Sequence, residues 1–216
     1  MVNKNLFKAV ETGNVAEVKR VLTEEKINAT TYYGAKSLNF ATEKGYFEIL
    51  KLLLESGMNV HRASFWSNSY NIAHSTLSKA VCNGHTDIVK LLLDYGANAE
   101  KKDLKEAFIK AFLSGNLEMT KMLIDAGANV NVKDGGITPL MYAVLFQTEN
   151  QEILIDWLLT AGAHVNVKRV TWVKKGKTQR REINTALTYA KQLGNDKVVA
   201  MLKNAKKYRQ NQSTNL

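Results

Sequence analysis

One cysteine and one proline stand in a chain of 216 residues. A single thiol, Cys82, excludes a disulfide within the chain, and a reducing, cytoplasmic compartment is the expectation. Cys82 falls late in a helix-like run and reads as a small packing residue. Long apolar runs are also missing: no stretch approaches the ~18 uncharged apolar residues of a membrane-spanning helix. Lys8 interrupts the apolar region that a secretion signal would need. The four histidines, His61, His74, His85 and His164, stand at no metal-ligand spacing to one another or to Cys82, so no metal is expected. No glycine-rich phosphate loop occurs, and Gly135-Gly136 reads as a hairpin turn. No nucleophile has a base at an arguable distance, and the acidic pairs lie on outer helical faces. Neither a cofactor nor catalysis is expected.

What the chain has instead is a phrase that recurs. Residues 45–59, 84–98 and 115–129 are copies of it. Each opens on Gly, runs through a helix-like apolar stretch (Ile49, Leu50, Leu52, Leu53 and Leu54 in the first), and closes on a second Gly: Gly57, Gly96, Gly127 and, in a later copy, Gly162. Asn129-Val130-Asn131-Val132 and His164-Val165-Asn166-Val167 then lead into a turn. Upstream of the first Gly, Leu38 and Ala41, Leu77 and Ala80, Phe108 and Ala111, and Leu140 and Ala143 stand three residues apart, which puts each pair on one side of a helix. Gly45, Gly84, Gly115 and Gly194 stop that helix in the left-handed conformation open to glycine. The pattern predicts antiparallel helix pairs, with Leu52-Leu53, Leu91-Leu92, Leu123-Ile124, Leu158-Leu159 and Met201-Leu202 buried between them. Self-similarity of this kind belongs to stacked arrays, which present a long side surface and no built-in deep pocket.

The phrase resembles the ankyrin repeat, a unit of about 33 residues with a β-turn, two antiparallel helices and a T-P-L-H-x-A signature. Thr138-Pro139-Leu140-Met141-Tyr142-Ala143 is the cleanest version. Taking the Leu of that signature as marker gives Leu6, Leu38, Leu77, Phe108, Leu140 and Leu187, spaced 32, 39, 31, 32 and 47 residues apart. The resemblance implies an all-α ankyrin-repeat solenoid of antiparallel helix pairs with β-hairpin finger loops. Residues 1–203 form a single domain on this reading, with repeats at about 4–30, 34–66, 73–103, 104–134, 136–167 and 183–203. The full Thr-Pro start occurs once; Lys36-Ser37, Ser75-Thr76, Glu106-Ala107 and Thr185-Ala186 replace it elsewhere, which should weaken those helix starts. Repeat five lacks the inner Gly, and residues 147–150 fill that turn. His85 follows the inner Gly, where the family commonly carries a locally hydrogen-bonded His.

Charge and insertions gather at particular places. Residues 1–167 hold 17 Lys/Arg and 18 Asp/Glu, whereas residues 168–216 hold 13 Lys/Arg and 2 Asp/Glu, a net of +11. Two finger loops are longer than the repeat needs, by about six residues at 61–74 and by about eleven at 168–183. The second carries a β-prone Val170-Thr171-Trp172-Val173 and a turn-like Lys174-Lys175-Gly176-Lys177, and predicts a protruding hairpin with a basic tip. A basic polar tail follows at 204–216. The fingers also carry aromatics: Tyr32 and Tyr33 on the first, Phe65, Trp66 and Tyr70 on the second, Trp172 on the fifth. Whether Phe65 and Trp66 fold their insertion back onto the stack is left open by the residues.

In the ankyrin family partners are bound by the fingers and the inner, concave helices. The implied function is that of a monomeric, non-catalytic protein-binding module acting as scaffold, adaptor or inhibitor. The expected contact residues are Tyr32, Tyr33, Phe65, Trp66, Tyr70, Trp172, Lys174, Lys175, Lys177, Arg180 and Arg181, with a protein partner that bears an acidic patch. The alternative is a polyanion, nucleic acid or an anionic membrane surface, held by the basic finger and tail. Chains of this kind resemble proteins of intracellular bacteria and protists, some acting on host proteins, so delivery into a host cell is a further expectation. No export signal is recognisable.

Overall fold

The computed structural model describes residues 2–24, 32–60, 75–97, 101–146, 149–175 and 178–205. The chain divides into two compact units, Met1–Ala128 and Asn129–Leu216.

The first unit is a row of four helix pairs: α1 (Val2–Glu11) with α2 (Val15–Glu24), α3 (Tyr32–Lys44) with α4 (Phe47–Glu55), α5 (Thr76–Cys82) with α6 (Thr86–Asp94), and α7 (Lys101–Leu113) with α8 (Leu117–Asp125). Inner helices pack on inner helices (α1 on α3, α3 on α5, α5 on α7), and outer on outer (α2 on α4, α4 on α6, α6 on α8). The marker residues Leu6, Leu38, Leu77 and Phe108 are fully buried, as are Ala41, Ala80 and Ala111 behind them. Small side chains there let the helices approach closely. Leu53, Leu91, Leu92 and Leu123 are buried as the pattern predicts, but Leu52 and Ile124 are only partly covered. A helix advances 100° per residue, so one residue of an adjacent pair faces the core while the other lies toward the margin of the buried stripe, covered as at Leu91 or part-exposed as at Leu52.

The glycine stops close each helix in the same way. At Gly45 the backbone turns to φ +74°, and the Tyr46 N–H returns to the Ala41 carbonyl at 2.9 Å. That bond satisfies a carbonyl which the helix end would leave without a partner. The residues after Gly84 and Gly115 repeat it onto Ala80 and Ala111, at 3.0 and 3.2 Å. Gly45 is also tight in space, because a Cβ there would lie 2.8 Å from His85 Cε1. The His85 ring in turn hydrogen-bonds the Glu43 carbonyl through Nε2 at 3.2 Å, joining α3 to the next pair.

Two inner helices start earlier than the repeat phrase implies. The starts were expected near Ser37 and Ala107, but α3 begins at Tyr32 and α7 at Lys101. Ser75 and Thr185 cap α5 and α11 at the expected place, whereas Lys36 and Glu106 stand at the matching positions of α3 and α7 and the helix runs back upstream. Ser37 then becomes an interior residue whose hydroxyl donates to the Tyr33 carbonyl at 2.8 Å. Cys82, expected to pack, is exposed at the end of α5.

The second unit has two helix pairs, α9 (Pro139–Leu145) with α10 (Gln151–Thr160) and α11 (Ala186–Gln192) with α12 (Asp196–Lys203), α9 packing on α11. Between α10 and α11 rises the antiparallel hairpin β1 (Arg169–Lys175) and β2 (Thr178–Asn184). Leu140, Ala143, Leu158, Leu159, Ala190 and Leu202 are buried, while Met201 is partly exposed. Thr138 caps α9 by accepting from the Met141 N–H, with Pro139 in the first turn. Thr185 and Thr188 cap α11 reciprocally.

The missing inner glycine of α9 is replaced by a side chain. Gln151, 6% exposed, donates through Nε2 to the Ala143 carbonyl at 3.0 Å and to the Val144 carbonyl at 2.8 Å. Its Oε1 accepts from Asn195 Nδ2 at 3.0 Å, and Asn195 Oδ1 caps α12 on the Val198 N–H. One amide thus closes a helix and ties two pairs together. Asn131 makes a similar tie: its Nδ2 donates to the Gly162 carbonyl and its Oδ1 accepts from the His164 N–H.

Candidate partner-binding surface

The hairpin is built by alternation. Val170 and Thr171 are β-branched and Trp172 aromatic, types that suit a pleated surface. The strands pair in the register Arg169 with Asn184, Val170 with Ile183, Thr171 with Glu182 and Trp172 with Arg181, on to Lys175 with Thr178. Successive residues project to opposite faces and directly paired residues to the same face. One face therefore carries Val170, Trp172, Arg181 and Ile183; the other carries Arg169, Thr171, Arg180, Glu182 and Asn184.

The second face is turned to α11. Arg169 Nη1 donates to the Tyr189 hydroxyl at 3.3 Å, and buried Asn184 accepts through Oδ1 from Gln192 Nε2 at 3.4 Å. The first face is open: Trp172 is 67% exposed, Ile183 48% and Val170 45%. The expected group of Trp172, Arg180 and Arg181 is thus divided between faces. Arg181 stands across from Trp172, and Arg180 is exposed on the other side. Val170 and Ile183 were not among the expected contact residues. Alternation at 170, 172 and at 181, 183 was readable, but only the register joins the two runs.

Tyr32 and Tyr33 occupy the first turn of α3 rather than a loop. Their rings meet edge-on at 5.3 Å, and Tyr33 continues to Phe7 at 6.4 Å. Phe7 meets Phe40 at 5.8 Å, Phe40 meets Tyr46 at 6.4 Å, and Lys36 Nζ sits 4.1 Å over the Phe7 ring. Both tyrosines are half-buried in this cluster. Phe65, Trp66, Tyr70 and Lys177, like the tail at 206–216, lie outside the described residues. Lys174 and Lys175 are described only as backbone, on the end of β1.

The inner helices add two features. In the first unit Lys79 is half-buried and donates to Asn39 Oδ1 at 2.9 Å. Burial holds its pKa below the ordinary lysine value, partly offset by Glu43 nearby. In the second unit the Tyr142 and Phe146 rings stack at 5.7 Å with Phe146 53% exposed, an aromatic step absent from the expected set. Among the described residues no group of His, Cys, Asp and Glu could hold a metal ion. No described helix is long and apolar enough to cross a membrane.

Residues 77–169 match the family model of ankyrin repeats, in three copies. An ankyrin repeat domain from Acinetobacter baumannii AYE is 26% identical over 93% of this chain and 97% of its own, with a TM-score of 0.66. The ankyrin repeat domain of Bcl-3, a member of the IkappaB protein family, is 21% identical over 93% of this chain and 85% of its own, with a TM-score of 0.64. The ankyrin repeat domain of human ASB11 is 23% identical over 93% and 82%, with a TM-score of 0.54.

Proposed function

Because this chain is an ankyrin-repeat protein, a family of protein-binding modules, we propose that it binds a protein partner without catalysis, through its long hairpin and inner helices. The observation that carries this reading is the open face of the hairpin, where Trp172 stands 67% exposed across from Arg181. Aromatic and arginine side chains dominate binding energies, the aromatics by burying large areas at low entropic cost and arginine through its planar fork of donors. Residues 168–184 hold seven Lys/Arg against the single acid Glu182, so the partner surface is acidic. In the first unit the half-buried Tyr32 and Tyr33 contribute only the part of their rings that stays exposed. Phe65, Trp66 and Tyr70 of the second finger are further contact residues on this reading, by the enrichment of aromatics in binding surfaces. The chain works as a monomer in a reducing compartment, where its single exposed thiol stays free.

The test is capture of partners from lysate with the full chain, then association kinetics against salt for Lys174→Glu/Lys175→Glu/Lys177→Glu. The triple reversal should leave the circular dichroism spectrum intact, slow association and flatten its salt dependence. An unchanged on-rate and salt slope would reduce the basic tip to a solubility feature. The charge of residues 168–216 also supports the polyanion reading. Heparin or DNA binding with a steep salt slope, competing with the captured protein, would favour it.

A further inference from the structure

The hairpin has an edge whose backbone groups are free to pair, and its chemistry selects what pairs there. Lys175 and Thr178 are paired across a two-residue connection. Such a pair exchanges both of its backbone hydrogen bonds, and bonded and non-bonded pairs alternate away from it. Thr171 with Glu182 is therefore a bonded pair, and Trp172 with Arg181 and Val170 with Ile183 are non-bonded pairs. The N–H and C=O groups of Arg181 and Ile183 consequently point out of the β2 edge, away from β1.

The two edges differ. At the base of β1 lies the turn of the preceding finger: a Cβ on Gly136 would come within 3.9 Å of Arg169 Cγ. Beside β2 no further strand pairs among the described residues. On the open face this edge presents Arg181 and Ile183, continuous with Trp172 and Val170. The one acid of the hairpin, Glu182, projects to the opposite face, and among the described residues no carboxylate pairs with Arg181. An unpaired edge is a template for an added strand, and charge on it repels strands of like sign. Seven basic residues turn away another copy of this hairpin and admit an acidic strand.

We infer that β2 takes an extended acidic segment of a partner protein as a third strand, with a carboxylate set against Arg181 and an apolar side chain beside Ile183. Because facing residues on one side of a sheet are two apart, the segment carries its acid and its aliphatic or aromatic residue at positions i and i+2. The inference rests on the reading of the hairpin as a protein-binding site and gives that site its substrate class. Backbone pairing supplies general affinity, and the two side-chain positions supply selection.

The full chain is screened with a phage-displayed library of random twelve-residue peptides, and the enriched peptides are synthesised. The expected result is enrichment of Asp or Glu two positions from an apolar residue. Arg181→Glu should weaken these peptides about ten-fold or more, the scale of a charge-assisted hydrogen bond, and a Lys-for-acid peptide should recover binding to that variant. Ile183→Pro removes the outward N–H while leaving the β1 pairing, since proline is tolerated at strand edges. It should abolish binding, whereas Ile183→Ala, which keeps the N–H, should retain most of it; circular dichroism confirms that each variant is folded. Amide exchange at Arg181 and Ile183 should slow on peptide addition. Enrichment without acids, equal binding by the proline and alanine variants, or unprotected amides would each overturn the added strand. If no peptide enriches while the captured protein still binds and Trp172→Ala weakens it, the protein-binding reading stands and edge addition is wrong. If only oligo(dT) binds and Arg181→Glu removes it, the edge serves a polyanion and the inference fails.

Discussion

Replacing Gln151 with alanine isolates a helix closure that a buried side-chain amide performs. The Gln151 amide makes three hydrogen bonds, to the Ala143 and Val144 carbonyls and from Asn195 Nδ2, in a site where the residue is 6% exposed. A net intramolecular hydrogen bond contributes about 1 kcal/mol, and a buried polar group left without a partner costs about 1–3 kcal/mol. Water entering the vacated volume would satisfy part of what is orphaned, so Gln151→Ala should cost about 2–4 kcal/mol. Urea unfolding of the full chain, followed by far-ultraviolet circular dichroism, measures this, and coincidence with Trp fluorescence checks that the transition is single. Gln151→Glu sharpens the test. Its ionised carboxylate would face two carbonyl oxygens, so burial and like partial charges raise its folded pKa above the unfolded value. The variant should thus be weakest near neutral pH and regain stability as pH falls through that raised pKa, when the protonated group can donate to one carbonyl. A cost below about 1 kcal/mol for the alanine variant, or a glutamate variant indifferent to pH between neutrality and 5, would refute the closure.

Three other outcomes follow from the packing. Leu92→Ala, at a fully buried position between outer helices, should cost roughly 2–5 kcal/mol in the same titration; less than about 1 would mean that the outer face is misassigned. Gly45→Ala forces a side chain into a left-handed backbone and against the His85 ring. It should cost about 1–2 kcal/mol for the backbone alone and more with His85 present, so a cycle with His85→Ala should show positive coupling; strict additivity would say that the ring simply moves aside. Lys79 has its pKa lowered by burial, so the unfolded chain holds that proton to higher pH. Stability should then rise with pH from the lowered folded value up to the ordinary lysine value, 10.5, and Lys79→Met should lose that rise in urea midpoints measured across the alkaline range.

Much of the fold was legible because its closures are local. Gly45, Ala41 and Tyr46 lie within one turn and its exit, so spacing alone specifies the bond. His85 was readable as a hydrogen-bonding residue, though its acceptor, the Glu43 carbonyl, lies on another helix pair. Tyr32 and Tyr33 were misplaced onto a loop, because Lys36 stands where Ser75 and Thr185 cap α5 and α11, and the helix continues upstream past it. Their position follows from the ring cluster with Phe7 and Phe40, contributed by two helices. At the candidate site, the hairpin and its basic tip were readable from β-prone residues flanking a turn. The division of Arg180 from Arg181, and the joining of Trp172 to Ile183, depended on a strand register that neither strand specifies alone.

The amino-acid sequence by itself determined the repeat, the glycine stops, most of the buried stripe of the outer helices and the concentration of positive charge after residue 167. Each is a property of neighbours along the chain, where φ preference and the 3.6-residue period act directly. Only the tertiary structure decided that Gln151 closes α9, that Asn195 anchors Gln151, and that one face of the hairpin turns to Tyr189 while the other stays in water. Those outcomes require groups on different elements to meet, seven or eight residues apart for Gln151 and α9, 20 for Arg169 and Tyr189 and 44 for Asn195 and Gln151, and their pairing is chosen by which buried donors and acceptors remain to be satisfied once the helices have packed.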